Sequence, residues 1–358
     1  MLEAREGSGM TQSELGRKLG IDRSAIAKIE SGTRGLSALE LARIAAELDR
    51  PLQWFVSERL EAVVSRRSES PVATTNLDVV TEDYANDVGL LFEIKALKSP
   101  EFRVESKFPE SVLDAEKLAM RARERLGIGN DPASDLIGAA DAFGLFAYVT
   151  AESLDGAEGA YIGIEGCGVA AISGELDSGR RRFTLAHELG HHLTGDEYST
   201  DLALATTRDE RERLINAFAA HFLMPRGAVK EGWVTYGGDL DPRSCAIKLA
   251  AEYRLSWSAA CSQLKNLEFI DSSTHAALLA SPPSGAEHLE LDARVVEDLI
   301  PPVLSRTFSK AVLRAIRGAK ITTQRAAEML RETIDEDELP KAEAPPLDAL
   351  RGELAESI

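Results

Sequence analysis

The sequence predicts an α+β protein, mostly helical, with one small β-sheet and more than one domain. Three observations carry this. At 358 residues the chain exceeds one ordinary domain, and 44% hydrophobic residues suit packed cores. Most apolar residues recur at helical spacing. Only three short runs, LFAYV, AYIGI and GVAAIS, read as strands between Gly, Asp and Ser.

Residues 1–64 read as short helices with tight turns. SRRSESPVATTN, from residue 65, is rich in Ser, Thr and Pro and lacks apolar periodicity, so 65–80 is expected to be a linker. A second domain is expected over 81–235. In it AEKLAMRARERLGIG forms an amphipathic helix ended by glycine, SDLIGAADAFG a second, and the three strands follow. Two further helices hold HELGH and residues 208–223. Residues 236–358 are expected to be a helical C-terminal region, with helices at DPRSCAIKLAAEY, SWSAACSQLKNL, SRTFSKAVLRAIRG and TTQRAAEMLRETI before an acidic tail. No fixed-period repeat is present.

Composition excludes several classes. No run approaches the roughly 18 uninterrupted apolar residues of a membrane span and the start is charged, so a cytoplasmic protein without membrane contact is expected. Cys167, Cys245 and Cys261 are far apart and odd in number, which argues against a disulfide scaffold or a cysteine zinc knuckle. A net charge of -18 is wrong for a chain that coats nucleic acid over its whole surface, so DNA binding must be confined to one module.

The chemistry concentrates in RRFTLAHELGHHLTG, residues 181–195. Four residues apart on a helix, His187 and His191 can aim ring nitrogens at one point, and Glu188 sits beside that point without being in it. Zinc held by two imidazoles and a carboxylate keeps an open position for water, whose proton a nearby carboxylate can take. A metzincin-type third histidine would need Gly at 194 and His at 197, where the sequence has Thr194 and Glu197. The remaining source is RDERERLINAFAAHFLMP, where Glu212 and Asn216 are co-facial. Glu212 would complete the shell. Asn216 could accept the proton on the far nitrogen of a metal-bound histidine. His192 points off the ligand face and reads as an exposed or supporting histidine. His221 lies about half a turn out of phase with Glu212 and reads as a core histidine. Tyr148 and Tyr161, in or beside strands, read as packing residues.

GRRRFTLAHELGHHL followed by ERLINAFAAHFLMP resembles the ImmA/IrrE family of metallo-endopeptidases over about residues 111–270. The resemblance implies a gluzincin-like peptidase fold with His187, His191 and Glu212 as zinc ligands and Glu188 as the base. Members often carry an acidic residue and Ala before the asparagine, where this chain has Leu214 and Ile215, both outside the ligand set.

MTQSELGRKLGIDRSAIAKIESG, residues 10–32, contains two helices joined by a tight turn. Thr11 with Glu14 makes a capping box, Gly20 ends the first helix, Asp22 can cap the second, and Ser37 with Glu40 repeats the device. Ile26 and Ile29 give the second helix its buried side, leaving Arg23, Ser24, Ala27 and Lys28 outward, able to reach bases or phosphates. The stretch resembles the Cro/cI-type (XRE) helix-turn-helix over about residues 1–58, which implies that Gln12 touches DNA. Residues 1–67 hold 11 Lys and Arg against 10 Asp and Glu, the rest of the chain 30 against 49, so the module is basic only in relative terms. TTQRAAEML is similar to TQSELGRKL, but no recognition helix follows, and it reads as an accessory helix.

These features predict a zinc-dependent endopeptidase joined to a module that binds operator DNA. The resemblance implies a regulatory protein substrate, a helix-turn-helix repressor or antitoxin-like partner, in stress or mobile-element control. The alternative is a DNA-binding regulator whose second domain only senses or binds a partner. An intact base beside two ligands favours the enzyme.

Overall fold

The computed structural model describes residues 1–48, 55, 65–66, 76–98, 107–151, 156–164, 166–195, 205–237 and 241–341. It forms two compact units.

In the first unit, α1 (Leu2–Gly7), α2 (Gln12–Leu19), α3 (Arg23–Glu30) and α4 (Ala38–Glu47) enclose Ala4, Leu15, Leu19, Ile26, Ile44 and Leu48. Both expected capping boxes form, Thr11 with Glu14 and Ser37 with Glu40, and Gly20 ends α2 in the left-handed conformation. Asp22 stands at the N-cap of α3, but its side chain makes no capping bond there. A buried polar knot replaces it as the tie between helices. Glu30 accepts Arg5 Nε at 2.6 Å, Arg5 Nη2 at 3.2 Å and Gln12 Nε2 at 2.8 Å, joining α1, α2 and α3.

The second unit is built on a five-stranded sheet ordered β1 (Ser65–Arg66), β3 (Gly159–Ile164), β4 (Cys167–Ser173), β2 (Leu145–Thr150), β5 (Val303–Leu304). β2 and β4 run parallel and every other pairing is antiparallel. Alternation along each strand sends Leu145, Ala147, Val149, Tyr161, Ala170 and Ile172 to the main core, while Ala160 and Ala171 meet Leu77 on the other face. Both faces are covered, so the strands are apolar throughout rather than alternately polar.

The helix beneath the second face is α5 (Asn76–Glu93), for which the sequence reading gave no expectation and whose start lies inside the stretch expected to be linker. Leu77, Thr81, Tyr84, Val88 and Leu91 recur at three and four residues and are buried. Acidic residues between them hide the pattern. β1, in the same stretch, pairs with β3 although nothing apolar marks it.

On the main-core face lie α6 (Val112–Leu126), α7 (Leu136–Ala142), α8 (Ser178–Thr194) and α9 (Ala205–Leu223). α10 (Arg226–Gly237), α11 (Pro242–Glu252), α12 (Trp257–Asn266) and α13 (Ser272–Ala280) extend that core, with α14 (Gly285–Glu290) outside it. The helices after 236 therefore pack with the preceding ones as one body, because Cys245, Leu249, Ala260, Cys261 and Leu264 face the same apolar interior. α15 (Arg306–Arg317) and α16 (Thr323–Leu330) close the chain against α5, where Asp87 accepts Arg325 and Arg331, the latter at 2.7 Å. The accessory helix α16 is thus held by a buried ion-pair cluster. The three cysteines are free and buried, and burial pushes the Cys167 thiol up to about 12. None of the described helices is long and apolar enough to cross a membrane.

Candidate metal centre

α8 is a buried helix, enclosed by the sheet, α7 and α9, so its polar groups must be accounted for one by one. Asp177 caps its start by accepting Arg180 N–H. Arg181 donates to the carbonyls of Gly174 and Leu176, at 3.1 and 2.8 Å. Arg182, fully buried, donates to Asp298 and to the Ala133 carbonyl, and Arg254 reaches the same Asp298 at 3.3 Å. These arginines pin the first turns of α8 to segments on both sides. The sequence reading missed this role, although three consecutive charges before an apolar helix are the visible signal.

Beyond them α8 presents His187, Glu188 and His191, all essentially without solvent exposure. The Nε2 atoms of the two histidines are 3.1 Å apart. α9 brings Glu212 to the same point, Oε2 at 3.3 Å from His187 Nε2 and Oε1 at 3.8 Å from His191 Nε2. His187 Nδ1–H donates to Asn216 Oδ1 at 3.1 Å, which leaves the lone pair of its Nε2 facing Glu212 and His191. Two imidazole nitrogens and a carboxylate within 4.8 Å of one another form a group that could hold a metal ion. Glu212 is a quarter exposed, so the point is reached from the α9 side.

The close approach of α8 and α9 depends on Gly190. A Cβ there would lie 2.9 Å from Phe218 Cδ1 and 3.0 Å from Ile215 Cγ2. Glu188 meets the sheet instead. A Cβ on Gly159, the first residue of β3, would fall 3.1 Å from Glu188 Oε1 and 2.5 Å from Thr184 Cγ2. The start of β3 thus lies against the turn that carries this carboxylate.

The remaining candidates fall elsewhere. His192 is not an exposed histidine: its Nε2–H donates to the Phe143 carbonyl at 2.8 Å and its Nδ1 meets the Tyr161 hydroxyl at 3.1 Å, and burial lowers its pKa from 6.5. It ties α8 to the sheet, and Tyr161 packs with it as expected. Tyr148 also packs, under Arg331 and beside Tyr84. His221 is buried, 3.9 Å from Glu116 and beside Gln263, and burial lowers its pKa too. Nine residues of helix rise about 13 Å, which keeps His221 away from the His187–Glu212 point. It lines a cleft of about 690 Å³ together with Phe183, Arg213, Asn216 and Gln263. Phe183 precedes His187 by one turn on α8 and Asn216 follows Glu212 by one turn on α9, so the cleft borders the metal group on one side without being lined by its ligands.

In the first unit Arg23, Ser24 and Lys28 are exposed on α3 and Ala27 is half-buried. Gln12, expected to touch DNA, gives its amide to Glu30.

Comparison with known families agrees with both halves. Residues 148–265 match a peptidase family described as the IrrE N-terminal-like domain, and residues 1–55 match the helix-turn-helix. No curated protein matches the chain. The chain therefore joins an N-terminal helix-turn-helix to a peptidase domain.

Proposed function

We propose that this fusion of a helix-turn-helix with an IrrE-like peptidase domain is a zinc-dependent endopeptidase that binds operator DNA and cleaves a regulatory protein, a repressor or antitoxin-like partner. The observation that carries the reading is the convergence of His187, His191 and Glu212 beside Glu188. A tetrahedral zinc ion with ligands at about 2.0–2.1 Å spaces its donor atoms roughly 3.3 Å apart. The donors here stand 3.1, 3.3 and 3.8 Å apart, so the residues fit the ion. When bound, zinc acidifies a water molecule and polarises the scissile carbonyl.

The chain's own groups do the rest. Asn216 fixes the His187 ring with its Nε2 toward the centre. Glu188, adjacent in sequence to a ligand and buried, takes the proton of the attacking water and passes it to the leaving amine. The cleft beside Asn216 receives the peptide flanking the scissile bond. Arg23, Ser24 and Lys28, exposed on α3, contact DNA in this reading, with half-buried Ala27 at their edge. Gln12 serves this face while braced by Glu30.

The test is Glu188→Gln, which preserves size and hydrogen bonding but cannot accept the proton. Zinc content, fold and partner binding are expected to persist while peptide cleavage falls about a hundredfold or more. If the partner protein is never cut by the unaltered chain and both variants regulate the adjacent operon equally, the domain is a sensor and the endopeptidase reading fails.

A further inference from the structure

β3 is bordered along its full length by β4, but on its outer side by two residues alone among those described: Ser65 opposite Tyr161 and Arg66 opposite Ala160. The pairing is antiparallel, so from Ser65 to Arg66 the strand runs from Tyr161 to Ala160, in the direction of Gly159. Gly159 is the residue on which an added Cβ would run into Glu188 Oε1 and Thr184 Cγ2. An extended segment laid on this edge is thereby led to the proposed general base. Sheet edges offer a row of backbone N–H and C=O groups that capture such segments irrespective of side chain. SRRSESP has no alternating apolar residues to bury, so Ser65 and Arg66 are held as any extended peptide would be, by their backbone. A strand of two residues is a weak hold that tethering makes up for, since a segment on the same chain competes at roughly millimolar effective concentration.

We infer that β1 is an internal occupant of the substrate edge: residues 65–66 and an extended protein substrate compete for the same outward backbone groups of Tyr161, so cleavage requires the linker to leave. This rests on the peptidase reading, and its consequence is an enzyme restrained by the segment leading from its helix-turn-helix unit.

The test compares the full chain carrying Glu188→Gln, expected to cut peptide about a hundredfold or more slowly, with the same chain also carrying Ser65→Pro, which removes the backbone N–H that faces Tyr161. Amide exchange over residues 159–164 and binding of a fluorescent synthetic peptide of residues 60–71 are measured in zinc. Ser65→Pro is expected to speed exchange at Tyr161 of β3 and to tighten peptide binding by about tenfold, as removal of a millimolar competitor implies for an intrinsic affinity near 0.1 mM. Unchanged exchange and unchanged peptide affinity overturn the inference, as does faster exchange with no peptide bound by either chain. Tighter peptide binding, with a partner protein that the Glu188-bearing chain never cuts, would sustain the competition and defeat the peptidase reading alone.

Discussion

Gly190→Ala tests whether helix packing sets the metal geometry. The added methyl would stand 2.9 Å from Phe218 Cδ1 and 3.0 Å from Ile215 Cγ2. Carbon atoms pack comfortably at about 3.5–4.0 Å, so α9 must retreat from α8 by roughly 0.5–1 Å. Neither neighbour can turn aside. Phe218 is fully buried and stacked on Phe222 with 5.7 Å between ring centroids, and Ile215 is fully buried. Overpacking of this kind costs about 1–3 kcal/mol, and the better helix propensity of alanine offsets about 1, leaving a net loss of roughly 0–2 kcal/mol. The larger effect is on metal. α9 carries Glu212 and Asn216, and a shift of that size exceeds the tolerance of about 0.2 Å in ligand distance, so zinc affinity is expected to fall about 10- to 100-fold. Competition against a chromophoric chelator reads the affinity, and thermal unfolding of the metal-free protein reads the stability. A variant that binds zinc as tightly as its parent would refute the claim that the contact between α8 and α9 positions the ligands.

The ligand set predicts one tightly held divalent metal per chain by elemental analysis, lost in His187→Ala and His191→Ala and weakened in Glu212→Gln; a zinc-exposed wild-type chain free of metal would count against it. In the first unit, burial raises the pKa of Glu30, but hydrogen bonds from Arg5 and Gln12 outweigh it and hold the carboxyl below its ordinary 4.5. A depressed carboxyl pKa contributes stability above 4.5 that is lost as pH falls through the folded value, so amide protection of α1–α3 should decline below about pH 4.5, and Glu30→Gln should flatten that decline. Asp87 is 4% exposed between Arg325 and Arg331, and Asp87→Ala leaves two cations facing a low-dielectric interior. Chemical denaturation should show a loss of roughly 3–5 kcal/mol, and a loss below 1 would mean that α16 is not integral to the second unit. Full-length protein should shift DNA from upstream of its own gene with affinity that falls as salt rises, and Arg23→Ala with Lys28→Ala should weaken binding and reduce the salt slope by up to about two units.

Much of the architecture is local and therefore legible in sequence. The capping boxes at Thr11 and Ser37, the glycine stop after α6 and the three apolar strand runs each involve neighbours a few residues apart, and all form as expected. The spacing of His187, Glu188 and His191, and of Glu212 and Asn216, is also local, because a helix fixes which side chains share a face. What sequence leaves open is which faces meet. Only the packed structure brings α9 onto α8 at Gly190, so that Glu212 reaches the two imidazoles and Asn216 accepts the His187 Nδ1–H hydrogen bond. Asp22 occupies its expected position without capping, and Gln12 turns inward to a glutamate that Arg5 also claims, since side chains choose partners by distance in space. The outer pairing of β3 with Ser65 and Arg66 had no sequence signal at all. Backbone groups on a sheet edge are the same for every residue, so the chain that covers them is decided by tertiary structure alone.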